Sequence, residues 1–277
     1  MRRILWFAKT KFRNKLTLSL ETPSKSFAER TFKDICAEYN LSEASDPGIG
    51  VILPFTDLEA APLDSDFQRT IRGHLINEVE SRVQVLKLFG ANEASKSMIV
   101  ASFIVAATRL FDQELYLASQ RNLSGRRGNG PVDSSVHSRK THAYTLGVTE
   151  VKKDGFRRGV AQNIVQLESA LTEKKRKRGQ YEVEGEEEPP RKIRSYGIVT
   201  DVSEWAVIEC TIHEAEAVSY RMTKLPETLV FAGNWKQDAS TIFQKLVCLW
   251  PRMRDKILER ESHCKKMSSS PSMKRTS

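Results

Sequence analysis

Between Glu114 and Ile212 the spacing of apolar residues changes twice, and few folds satisfy that change. Three short runs, Glu114 to Ser119, Val132 to His137 and Ala143 to Val151, have strand character, and the last two frame a hairpin turn at Arg139-Lys140-Thr141. From Phe156 to about Lys174, Val160, Ile164, Leu167 and Leu171 then recur at helical spacing. Tyr196 to Thr200 and Trp205 to Ile212 return to strands, joined by a tight turn at Asp201-Val202-Ser203-Glu204. Ahead of the first strand, Asn92 can cap a helix that runs through Met98, Phe103 and Val105 to Phe111. That helix is apolar nearly all round and belongs deep in a core. The order is helix, three strands, helix, strand, strand, so the expected fold is α/β or α+β with one central sheet.

The flanks are less constrained. With 277 residues the chain has room for one large domain and a smaller module. Residues 1–60 read as a small mixed N-terminal module. Leu16 to Leu20 could form a strand, and Ser26 to Glu29 has capping-box spacing for a helix ending near Tyr39 with Phe27, Phe32, Ile35 and Cys36 inward. Ser45 to Pro62 is a connection, and Asp66 to Phe89 a helix with Phe67, Ile71, Leu75, Val79 and Leu86 on one stripe. The main domain is placed at 64–250. Charge blocks and two prolines mark residues 173–194 as a mobile excursion. Residues 237–250 form a C-terminal helix that Pro251 kinks or ends, and the Ser- and Lys-rich stretch 263–277 is expected to be disordered.

A formal charge of +9 favours polyanionic partners. The most apolar stretch, Met98 to Ala107, is about half the ~20 residues of a membrane span, so no membrane association is expected. Cys36, Cys210, Cys248 and Cys264 lie far apart without metal-ligand spacing and read as reduced thiols. Gly90-Ala91-Asn92-Glu93-Ala94-Ser95-Lys96-Ser97 imitates a phosphate-binding loop, but Ser95 replaces the second glycine that lets backbone wrap phosphate.

One constellation carries chemistry. Side chains two apart on a strand share a face, so Glu150 and Lys152 project together at the end of the third strand. Asp133, on the preceding strand, can be brought beside Glu150 by the hairpin. Two such carboxylates can hold a hard cation such as Mg²⁺ or Mn²⁺ through oxygen, and an adjacent ammonium can orient water or steady a developing phosphate charge.

Gly130-Pro131-Val132-Asp133, Thr149-Glu150-Val151-Lys152 and Ala161-Gln162-Asn163-Ile164-Val165-Gln166-Leu167 resemble the motifs of the PD-(D/E)XK nuclease superfamily. Tyr196-Gly197-Ile198-Val199-Thr200-Asp201 with Trp205 is similar to the strand pair of its divergent, Crinkler-type effector and fungal or oomycete members. The resemblance covers residues 90–212 and implies a restriction-endonuclease-like αβββαβ core with a central mixed sheet. It implies Asp133 and Glu150 as metal ligands, Glu93 as an additional ligand, Lys152 as the residue that positions water, and Gln166, or less so Gln162, as the glutamine that follows the core motif. The Val160, Ile164, Leu167, Leu171 stripe sets both glutamines towards the opposite helical face.

Lys174-Lys175-Arg176-Lys177-Arg178 has the length and charge of a nuclear localisation signal, which implies a nuclear protein carried by import machinery. The expected function is Mg²⁺-dependent cleavage of nucleic acid, DNA ahead of RNA, by a nuclear effector, and the resemblance allows a homodimer that cuts both strands. Two readings stand against it: a nuclease-fold protein that binds nucleic acid without cutting, and an interaction scaffold built on residues 1–60.

Overall fold

The structure, a computed structural model, describes residues 25–55, 58–86, 90–139, 145–153, 155–178, 192–213 and 217–268. The expected strand at Leu16 to Leu20 and most of the turn at 139–141 lie outside them. The helices are α1 (Phe32–Glu38), α2 (Asp66–Val85), α3 (Glu93–Arg109), α4 (Phe156–Arg178) and α5 (Trp235–Ser268). The strands are β1 (Lys25–Ser26), β2 (Leu115–Ser124), β3 (Gly128–Ser138), β4 (Thr145–Val151), β5 (Lys192–Thr200), β6 (Trp205–His213) and β7 (Val218–Lys224). From α3 to β6 the order is the one the periodicity predicts.

All seven strands join one mixed sheet. β2, β3 and β4 are antiparallel neighbours, β5 runs parallel to β4 after the α4 crossover, and β6 and β7 continue antiparallel. Residues of β5 and β6 meet in unbroken register from Lys192 opposite His213 to Thr200 opposite Trp205. Each face of the sheet carries its own apolar cluster, because strand residues alternate in direction. One face packs Val136, Val151, Ile198, Trp205 and Val207 against α2, α3 and α5; the other packs Val148, Val199, Ala206 and Ile208 against α4 and the N-terminal segment.

Local signals account for the helix starts. Ser65 and Gln68 form a reciprocal capping box on α2, and Asn92 accepts from the Ser95 amide to cap α3. Ser26 caps only a short 3-10 turn at Phe27–Glu29; the α-helix that follows starts with its own box, Thr31 and Asp34. α3 is less enclosed than its composition implies: Met98 and Val105 face solvent, as does Phe67 of α2.

Two helices outrun expectation. α5 continues through Pro251 to Ser268, with Trp250 and Met253 buried on either side of the proline. One missing amide weakens a helix locally, and the burial of these large side chains offsets it. α4 continues to Arg178, so the basic run Lys174–Arg178 forms the last turns of a helix and not part of a loop. Lys and Arg are good helix formers, and positive charge favours a helix C-terminus.

Residues 25–55 form a strap. β1 lies parallel to β3 at Gly128 and Asn129, α1 crosses the outer side of α4, and beyond it the Leu53 carbonyl accepts from the Met222 amide on β7. A polar network fixes the crossing: Arg30 pairs with Glu38 at 2.7 Å and donates to the Arg127 carbonyl, the Tyr39 hydroxyl donates to Glu168 of α4, and Arg127 stacks over the Tyr39 ring. Phe27, Phe32, Ile35, Cys36 and Ile52 thus share an apolar cluster with α4. With sheet beneath and strap above, every residue of α4 from Gly159 to Leu171 is buried.

Candidate active site

β3 has two partners on the side facing β4. β1 pairs with its start, Gly128 and Asn129, and β4 with its end, from Ser134 opposite Thr149 to His137. Between these pairings, residues 130–133 have no strand partner on that side among the described residues, and the sheet forks. Asp133 stands at the fork. Its Oδ2 accepts from the Val151 amide at 2.7 Å, taking the place a strand carbonyl would hold.

Glu150 projects from β4 toward α4. Its Oε1 lies 2.6 Å from the Lys152 Nζ, and its Oε2 accepts from Gln166 Nε2 at 2.6 Å. Lys152 leaves the end of β4 two residues on, its amide bonded to the Thr200 carbonyl. Its methylenes lie on Gly159 of α4, where an added Cβ would come within 2.9 Å of Lys152 Cγ. Across the ammonium, Glu93 Oε2 from the first turn of α3 is 3.7 Å away. Lys96, one turn further along α3, donates to the Lys153 carbonyl at 2.7 Å and ties that helix end to β4.

The structure therefore brings Glu93, Asp133, Glu150, Lys152 and Gln166 to one place. Gln166 corrects the sequence reading in one respect: it is fully buried, because α4 is covered on both faces and its second face points at Glu150. Gln162 is also buried, and its Oε1 has no hydrogen-bond partner. The side chains of Lys174 to Arg178 fall outside the described residues. Cys36, Cys210 and Cys248 are free thiols.

Glu150 is 4% exposed, and burial is the main reason its carboxyl is pushed up to about 6; Asp133 adds repulsion, while Lys152 and Gln166 oppose the rise. Asp133 is raised too, first by burial and then by Glu93, against the Val151 amide and Lys152. A carboxyl raised in the folded state contributes stability that is present below its unfolded value of 4.5 and lost as pH climbs through about 6. In the presence of a chelator, thermal melts are expected to show stability falling between pH 4.5 and 6.5. The Glu150 part of that fall, on the order of 2 kcal/mol, disappears in Glu150→Gln.

The donor set suits a hard divalent cation: two adjacent carboxylates, both raised by burial, with the Lys152 ammonium alongside. Among the described residues no group of three or more His, Cys, Asp or Glu is arranged to hold a metal ion, so Asp133 and Glu150 would rely on water or substrate phosphate for the remaining positions. No helix of the described residues is long and apolar enough to cross a membrane.

Fold and site together define a mixed α/β protein with an acidic and lysine-bearing fork at the centre of its sheet. No family model matches the chain. It is similar to Crinkler effector protein 1 of Rhizophagus irregularis, with 36% identity over 237 residues, which supports a Crinkler-like relationship. The match covers 84% of this chain and 47% of that protein, so the chain spans about half the relative's length.

Proposed function

We propose that this chain is a metal-dependent nuclease of the PD-(D/E)XK type, with a restriction-endonuclease-like core, acting on DNA ahead of RNA as a nuclear effector. The observation that carries the reading is the convergence of Asp133, Glu150 and Lys152 at the β3–β4 fork, with Glu93 and Gln166 at its margins. Asp133 and Glu150 would hold Mg²⁺ or Mn²⁺, which when bound supplies charge to a phosphodiester and acidifies water. Lys152 orients the attacking water and faces the charge that develops on phosphate. Gln166 fixes one Glu150 oxygen, leaving the other for the cation and the ammonium. The basic end of α4, Lys174 to Arg178, serves as the import signal, and the +9 charge draws the chain to polynucleotides.

Plasmid DNA incubated with the protein and Mg²⁺ tests this: nicking or linearisation is expected, lost with a chelator and restored by Mn²⁺. The other reading, a nuclease-fold effector that binds without cutting, is favoured by the 2.6 Å Glu150–Lys152 pair, which neutralises one carboxylate without a metal. Salt-dependent DNA binding with no cleavage under any divalent cation would select it.

A further inference from the structure

We infer that Asn163 is a positioning residue that sets the direction of the Gln166 amide and through it the Glu150 carboxylate. The inference deepens the nuclease reading and rests on it. Asn163 lies on α4 three residues before Gln166 and is fully buried. Its Nδ2 stands between two oxygens, the Val148 carbonyl at 3.4 Å and Gln166 Oε1 at 3.5 Å. Turned the other way, the Asn163 carbonyl would meet two acceptors, so only one orientation fits. With Gln166 Oε1 held by Asn163, Nε2 is the end left to meet Glu150 Oε2, at 2.6 Å. A directional chain thus runs from the β4 backbone at Val148 through two side-chain amides to the carboxylate two residues further along the same strand.

Two further observations set this arrangement apart from ordinary packing. Asn163 Oδ1 is buried without a hydrogen-bond partner, an unfavourable placement for a residue that only fills space. Space for that oxygen exists because Gly197 of β5, opposite Val148, has no side chain: a Cβ there would lie 1.7 Å from Asn163 Oδ1. Leucine removes the unpartnered Oδ1 but takes the donor from Gln166 Oε1, so the two effects on stability oppose each other while positioning is lost.

The test is a double-mutant cycle on the full chain with Asn163→Leu, Gln166→Leu and the pair, read by calorimetric Mn²⁺ binding, plasmid cleavage and thermal melting. Asn163→Leu is expected to weaken Mn²⁺ binding and cleavage by about 10- to 100-fold with melting little changed, and to add nothing in the Gln166→Leu background. An equal loss in both backgrounds, or wild-type Mn²⁺ affinity in Asn163→Leu, overturns the proposal. The side-chain amide of Gln166, followed by NMR, decides the matter separately from any activity: its low-field, slowly exchanging protons should be lost in Asn163→Leu, and an unchanged signal overturns the positioning role. Should the wild-type chain neither bind Mn²⁺ nor cleave, the nuclease reading fails while this amide readout still judges Asn163.

Discussion

Glu150→Gln is expected to lose plasmid cleavage by about 10²- to 10³-fold or more while melting at a higher temperature than the wild type at pH 7. The two effects share one cause. Burial makes the ionised carboxylate unfavourable in the folded chain, and Lys152 and Gln166 offset that only in part, so an uncharged isostere relieves what remains. Loss of activity through misfolding would lower the melting temperature, and the opposite sign separates the explanations. Lys152→Ala should match the loss of cleavage but destabilise the chain, since it leaves Glu150 buried without its 2.6 Å partner. Cleavage unchanged by both substitutions would remove the fork from the chemistry.

The second large effect is expected from a single methyl group. Gly197→Ala places a Cβ 1.7 Å from Asn163 Oδ1 and 2.9 Å from Leu167 Cδ1. Neither neighbour has free space, because α4 is enclosed by the sheet and the strap. Overpacking of this kind costs about 1–3 kcal/mol, measurable by denaturant unfolding. The displaced Asn163 would also release Gln166, so cleavage should fall further than the loss of folded chain explains. A variant with wild-type stability would mean that α4 can lift from β5, contrary to the close packing seen here.

Much of the fold was legible because burial leaves its period in the chain. The run from Ala143 to Val151 and the stripe from Val160 to Leu171 anticipated β4 (Thr145–Val151) and α4, and period two alone put Glu150 and Lys152 on one face. The facing of Gln166 was not legible, because a helix covered on two sides shows no single stripe; the covering strap joins it from more than a hundred residues earlier in sequence. β7 did leave a signal in the alternation of Val218, Tyr220 and Met222, with Tyr220 and Met222 buried. The extent of α5 was hidden by Pro251, whose local preference yields to the tertiary packing of Trp250 and Met253.

The strap has a consequence during synthesis. The Phe55 carbonyl is bonded by Thr223, which is made 168 positions later. At ~5–20 residues per second the ribosome needs roughly 10–30 s to deliver that partner. The strap's apolar side chains, Phe27, Phe32 and Ile35, likewise precede the α4 face they cover by more than a hundred residues, so a nascent chain exposes them until α4 is made.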